Sequence, residues 1–119
     1  MPTADVTMNV RKANGQTGVI EIHGEITAFA EDALMDAYTR ASNGQTRAVI
    51  LDFNDLVYMN SSGIGLLVTL LIRANRQKQK LMVIGLNDHY RQIFQVTRLD
   101  EAIGIYDNET MALSAVGQV

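Results

Sequence analysis

The segment Asn60-Ser61-Ser62-Gly63 contains the residue types that most directly suggest chemistry. It places two hydroxyl groups where a loop enters a predicted helix. In the simplest interpretation, Ser61 or Ser62 caps free backbone N–H groups, a contribution of about 1 kcal/mol to helix stability. In the alternative interpretation Ser61 carries a phosphate, because the partial positive charge at a helix N-terminus tolerates an anion. Phosphorylation adds a charge of about −1.5 to −2 at neutral pH.

Sequence motifs for other kinds of site are missing. There is no cysteine, and the two histidines, His23 and His89, lie far apart without a metal-ligand spacing. Gly63-Ile64-Gly65 lacks the third glycine of a dinucleotide-binding loop, because Val68 occupies that position. Neither a Walker-type phosphate loop nor a Gly-x-Ser-x-Gly sequence occurs. We therefore predict no catalytic residue, no metal site and no cofactor.

An enzymatic alternative remains open for the carboxylates and hydroxyls of this region. Asp52 and Asp55 are predicted at a strand end and a turn, where capping is favoured over catalysis. A small hydrolase with Ser61 or Ser62 as nucleophile would need a nearby general base, which the local sequence does not supply. The pattern therefore disfavours an enzyme.

The spacing of apolar residues predicts the elements that position this segment. A chain of 119 residues with 47% hydrophobic and 19% charged residues suits one globular domain, residues 1–119 with a core at about 6–115. Residues 7–12 and 19–22 predict two antiparallel strands around the turn Asn14-Gly15. The full order is β-β-α-β-α-β-α-β-α. It predicts an α/β fold with a single-layer mixed, mostly parallel sheet of about five strands and about four helices.

The helix that follows Ser61 carries the predicted partner-binding face. The residues predicted to face the core recur at three- and four-residue steps: Ile64, Leu67, Val68, Leu71 and Asn75. At about 100° per residue, the outer side contains Leu66, Thr69, Leu70 and Arg73. Exposed leucines beside basic side chains are typical of a docking surface. The pattern equally favours a broad apolar stripe that neighbouring elements cover.

Charge and hydropathy limit the partners and the location. Thirteen acidic residues against ten basic ones give a net charge of −3, which disfavours direct binding of nucleic acid. The longest apolar stretch, residues 64–72, has nine residues, whereas a membrane span needs about twenty. The first residues show no signal peptide. We expect a cytoplasmic protein without membrane insertion.

These residues resemble the STAS domain family, and in particular the bacterial anti-sigma factor antagonists. The motif of the antagonists is roughly Asp-Leu-x-x-hydrophobic-Asp-Ser-Ser/Thr-Gly-Leu/Ile-Gly. It is matched by Asp55-Leu56 and by Met59-Asn60-Ser61-Ser62-Gly63-Ile64-Gly65, and Gly24-Glu25-Ile26 resembles the Gly-Glu-Leu of the family. Segments that resemble the last two helices of the family are Arg91-Gln92-Ile93-Phe94 with Leu99, and Glu109-Thr110-Met111-Ala112-Leu113.

The resemblance implies a partner-switching regulator that has no enzymatic activity of its own and a STAS-like fold. Such proteins bind an anti-sigma factor that is also a serine kinase, and so displace the sigma factor. The kinase phosphorylates the first serine of the motif, which is Ser61 here, and a PP2C-type phosphatase removes the phosphate. Only the unmodified form binds tightly.

Two residues depart from the pattern of the antagonists. Asn60 stands where they commonly carry Asp before the modified serine, and Thr27 stands where they commonly carry Asp after Gly-Glu-Leu. Both departures remove negative charge near Ser61, so either the phosphate is better tolerated or recognition by the kinase is lost. In the second case the chain would be a constitutive binder, or an unmodified STAS scaffold or ligand-sensing module that regulates another protein.

Overall fold

Five strands and four helices alternate along residues 5–117, the part of the chain that the computed structural model describes. They are β1 (Val6–Asn14), β2 (Thr17–Ile26), α1 (Glu31–Ala41), β3 (Ala48–Met59), α2 (Ser61–Arg76), β4 (Lys80–Ile84), α3 (Asp88–Val96), β5 (Gly104–Tyr106) and α4 (Glu109–Val116). Short 3-10 turns lie at Ala28–Ala30, before α1, and at Leu99–Glu101, before β5. The predicted order of elements is confirmed.

All five strands belong to one sheet with the order β1-β2-β3-β4-β5. β1 and β2 pair antiparallel, as the Asn14-Gly15 turn predicts, and every later pair is parallel. Parallel neighbours need a long crossover, which the helices provide. The predicted fold class, a mixed and mostly parallel sheet with four helices, is confirmed.

The two faces of the sheet are covered unequally. On one face α1, α2 and α3 bury the larger apolar cluster, to which Leu34, Leu67 and Phe94 contribute fully buried side chains. On the other face α4 covers a smaller cluster with Ala112 and Val116. Consequently α2 lies between two helices and the sheet, and only one side of it is left for solvent.

β3 is longer than the sequence predicts. Its apolar run ends near Leu51, but the strand continues to Met59 because β2 still pairs with it after β4 has ended. The turn expected at Asp55 is therefore wrong: Asp55 lies within β3, with its carboxylate 3.0 Å from His23 Nδ1. Asp52 makes the expected local contact, since its Oδ1 accepts the Asn54 N–H at 2.9 Å.

An ion pair joins α4 to the sheet. Arg11 on β1 donates from Nη1 to Glu109 Oε2 at 3.1 Å and from Nε to Glu21 Oε2 at 3.1 Å. The Arg11 guanidinium holds the pKa of the Glu109 carboxyl below its usual value. This pair ties the single helix on the second face to the N-terminal hairpin.

We predict that Glu109→Gln lowers the free energy of unfolding by about 0.5–1 kcal/mol at neutral pH, the range of a partly exposed ion pair. Because the pKa of Glu109 is lowered by folding, its contribution is present above the unfolded pKa of about 4.3 and is lost as the pH falls through the folded pKa. Urea unfolding of both proteins at neutral and acidic pH measures this. A difference that does not shrink at acidic pH, or an equal loss in the control Glu101→Gln, contradicts the prediction.

Candidate functional site

Asn60, rather than either serine, caps α2. Its Oδ1 accepts the Gly63 N–H at 2.9 Å, and its backbone carbonyl accepts the Ile64 N–H at 3.0 Å. The expectation that Ser61 or Ser62 supplies the cap is therefore wrong; asparagine is an equally good N-cap residue. Both serines are exposed on the first turn of the helix.

The first turn of α2 lies directly against the end of β2. The Ile26 carbonyl oxygen accepts the Asn60 N–H at 3.3 Å. A Cβ atom on Gly63 would lie 2.2 Å from that same oxygen and 2.8 Å from Met59 Cγ. Only glycine fits this approach, so Gly63 fixes both the position of the helix start and the side of the helix that faces the sheet.

The two residues that depart from the antagonist pattern are both helix caps. Thr27 Oγ1 accepts the Phe29 N–H at 3.3 Å at the start of the 3-10 turn, as Asn60 does at the start of α2. Neutral side chains therefore supply both caps, and the geometry around Ser61 does not require a carboxylate at either position.

The buried side of α2 differs from the one that the sequence predicts. It contains Gly63, Leu66, Leu67, Leu70, Leu71 and Ala74. Leu66 is 8% exposed and Leu70 is fully buried, so the outward orientation predicted for them is wrong. Val68, predicted to face the core, is 37% exposed. In the structure the buried side includes Gly63, and Leu66, Leu67 and Leu70 follow it at helical spacing.

Four residues form what we call the outer face of α2: Ser61, Gly65, Val68 and Ile72. All four are exposed, and at about 100° per residue they fall within about 60° of one another. Ile72 is 49% exposed, and a Cβ on Gly65 would meet nothing within 4 Å. The outer face therefore combines a free hydroxyl, an open stretch of backbone and two exposed apolar side chains.

The two remaining residues of the predicted partner-binding set border the outer face. Thr69 is exposed, and its hydroxyl donates to the Gly65 carbonyl at 3.1 Å. Arg73 is half-buried: its guanidinium lies 4.8 Å from the centre of the Tyr38 ring, and Nη2 donates to Thr39 Oγ1 at 2.9 Å. Arg73 thus holds α2 against α1.

An exposed aromatic residue extends this surface. Phe29, 58% exposed, lies on the 3-10 turn that contacts α2. Exposed apolar side chains grouped beside a helix are typical of a protein interaction surface. Phe29 is not among the partner-binding residues that the sequence predicts.

Within residues 5–117, no group of three or more His, Cys, Asp or Glu side chains is arranged to hold a metal ion. The helices of the same range are all too short or too polar to cross a membrane.

The chain matches a known protein family. A model of the STAS domain matches residues 7–112. An anti-sigma-B factor antagonist of Staphylococcus aureus is 24% identical over 86 residues, which cover 72% of this chain and 80% of that protein. The resemblance inferred from the sequence is confirmed.

Solved structures share the fold over nearly the whole chain. The crystal structure of an anti-sigma factor antagonist from Mycobacterium paratuberculosis has a TM-score of 0.78 at 21% identity, covering 97% of this chain and 98% of that one. The Bacillus cell fate determinant SpoIIAA, in its phosphorylated form, has a TM-score of 0.70 at 22% identity, covering 92% and 99%.

We predict opposite effects for alanine at the two glycines of α2. Gly63→Ala should destabilise the protein by about 2 kcal/mol or more, because the new methyl group overlaps the Ile26 carbonyl and the backbone must shift. Gly65→Ala should leave stability unchanged or raise it by up to about 1 kcal/mol, the difference in helix propensity. Urea unfolding of both variants measures this. Equal effects of the two substitutions would contradict the contact between α2 and β2.

Proposed function

This chain belongs to the STAS domain family, and we propose that within it the protein is an anti-sigma factor antagonist that binds through the outer face of α2. The observation that carries the proposal is the exposed Ser61 hydroxyl on the same face as Val68 and Ile72. The relative from Staphylococcus aureus and the neighbour from Mycobacterium paratuberculosis, both named as antagonists, support it. The activity is binding, without catalysis by this chain.

The partner in this proposal is an anti-sigma factor that is also a serine kinase, and it phosphorylates Ser61. A hundredfold loss of affinity needs about 2.7 kcal/mol. Burying a phosphate dianion beside Val68 and Ile72 without a matching cation costs more than that. Modification therefore releases the partner, and a PP2C-type phosphatase restores binding. These steps belong to the cytoplasm, where we place the protein.

The fold can carry this phosphate at small cost to its stability. The first N–H groups of a helix have no acceptor within the helix, and the helix dipole favours negative charge there. Because Asn60 and Thr27 supply the neighbouring caps without charge, they do not repel a phosphate on Ser61. A STAS-like fold solved in a phosphorylated form, that of SpoIIAA, agrees with this view.

A second candidate, an unmodified STAS scaffold, is favoured by the same neutral residues if the kinase requires a carboxylate beside the serine. Incubation with ATP and the anti-sigma factor kinases encoded in the same genome separates the two. The mass of one phosphate on a peptide that contains Ser61 supports the switch, and an unchanged mass supports the scaffold.

We predict that Ser61→Asp lowers affinity for the cognate anti-sigma factor by at least about tenfold, or about 1.4 kcal/mol, because it places a charge on the outer face. The melting temperature should change little, since the side chain is exposed. Isothermal titration calorimetry measures the affinity, with Ser61→Ala as the neutral control and Ser62→Asp as the charged control outside this face. Equal affinity of Ser61→Ala and Ser61→Asp would count against the switch.

We also predict that Val68→Glu and Ile72→Glu each weaken binding about tenfold or more, as expected for apolar residues near the centre of an interface. Both side chains are exposed, so the free energy of unfolding should change by less than about 0.5 kcal/mol. The matched control is Met111→Glu, which adds the same charge at a 48% exposed apolar residue on α4, across the sheet. If all three variants bind equally well, the outer face is not the interface.

A further inference from the structure

The backbone N–H of Met59, two residues before Ser61, points to a side of β3 where no neighbouring strand is present. β3 pairs with β4 only from Ala48 to Asp52, whereas its pairing with β2 continues to Met59. Successive N–H groups of a strand point to opposite sides. The Asn60 N–H points to β2, where it binds the Ile26 carbonyl. The Met59 N–H therefore points to the opposite side, where β4 no longer pairs with β3.

A side chain from α3 takes the place of the missing strand. The Tyr90 hydroxyl oxygen accepts the Met59 N–H at 2.8 Å. Both residues are buried, Tyr90 to 5% exposure and Met59 to 4%. A buried backbone N–H without water must find an acceptor in the protein, and a phenolic oxygen can be one. Tyr90 is itself held in the first turn of α3, because Asn87 Oδ1 accepts its N–H at 3.0 Å.

We propose that Tyr90 is a positioning residue for Ser61, an inference that rests on the proposed function. The hydrogen bonds that hold the backbone around this serine include three that reach beyond the regular helix pattern: Met59 to Tyr90, Asn60 to Ile26, and Gly63 to the Asn60 side chain. The bond from Asn60 joins the strand-to-helix connection to β2, and the bond from Gly63 lies within the connection itself. Of these three bonds, the one to Tyr90 comes from α3, and it holds the end of β3 directly before Ser61.

The consequence for binding is preorganisation of the outer face. A surface that is already held in its bound geometry loses less conformational entropy when the partner docks. Without the Tyr90 hydroxyl, the Met59 N–H has to reach water, and the connection that carries Ser61 shifts with it. Tyr90→Phe removes this acceptor and keeps the ring in the core.

The matched control is Tyr38→Phe. Tyr38 is also buried, at 2% exposure, and its hydroxyl bonds to Gln79 Oε1. Gln79 follows the C-terminal end of α2, a helix of 16 residues and so about 24 Å long. Both variants lose one buried hydroxyl and its hydrogen bond, but only Tyr90 is linked to the backbone before Ser61.

Amide hydrogen exchange and binding together test the inference. In the wild type, the Met59 amide should be strongly protected although no strand pairs with it on that side. In Tyr90→Phe, exchange at Met59 and Asn60 should be about tenfold faster than in Tyr38→Phe. Affinity for the anti-sigma factor kinases of the same genome should fall about tenfold in Tyr90→Phe, or about 1.4 kcal/mol, and stay unchanged in Tyr38→Phe.

The outcomes separate this inference from the proposed function. If the wild type binds none of these kinases, the proposed function fails, and the exchange rates still decide whether Tyr90 holds the backbone. If the wild type binds and the two variants bind equally, Tyr90 does not position Ser61. An unprotected Met59 amide in the wild type overturns the inference without any variant, which covers the case in which Tyr90→Phe does not fold.

Discussion

The Ile26 carbonyl oxygen is the contact on which the site depends. It accepts the Asn60 N–H and leaves no space for a side chain on Gly63, so the last residue of β2 fixes the first turn of α2. The parallel pairing of β2 and β3 brings their carboxyl ends to one edge of the sheet. A helix that starts against this edge has its direction and rotation set at once, and Ser61 is left on the outside.

Exposed and buried roles are separated within a single helical turn. Asn60 supplies the helix cap, and Gly63 makes the close contact with the Ile26 carbonyl oxygen. The Ser61 hydroxyl is needed for neither interaction. A negative charge can therefore be added on the outer face without disturbing the buried leucines on the other side of α2. This separation agrees with the proposed switch, in which a modification changes binding while the core remains intact.

Apolar periodicity identified α2 as a helix and gave the wrong rotation for it. Between residues 64 and 72 nearly every side chain is apolar, so more than one stripe along the helix satisfies the same spacing. The structure turns Leu66 and Leu70 inward and leaves Val68 and Ile72 in solvent. Exposed apolar side chains that are grouped on one surface, as these two are, are typical of an interaction site.

The sequence alone determined the order of the elements, the mixed sheet and the start of a helix at the Asn60-Ser61 segment, because these features depend on spacing and turn residues that are close together in the chain. Tertiary structure decided the length of β3, the identity of the cap and the side of α2 that faces solvent. The cap is a local contact between Asn60 Oδ1 and the Gly63 N–H, a role for which asparagine and serine are equally suited. The other two features depend on contacts between distant residues, such as Ile26 with Gly63 or Tyr90 with Met59. Contacts of this kind follow from how the elements pack, and they leave no periodic pattern in the local sequence.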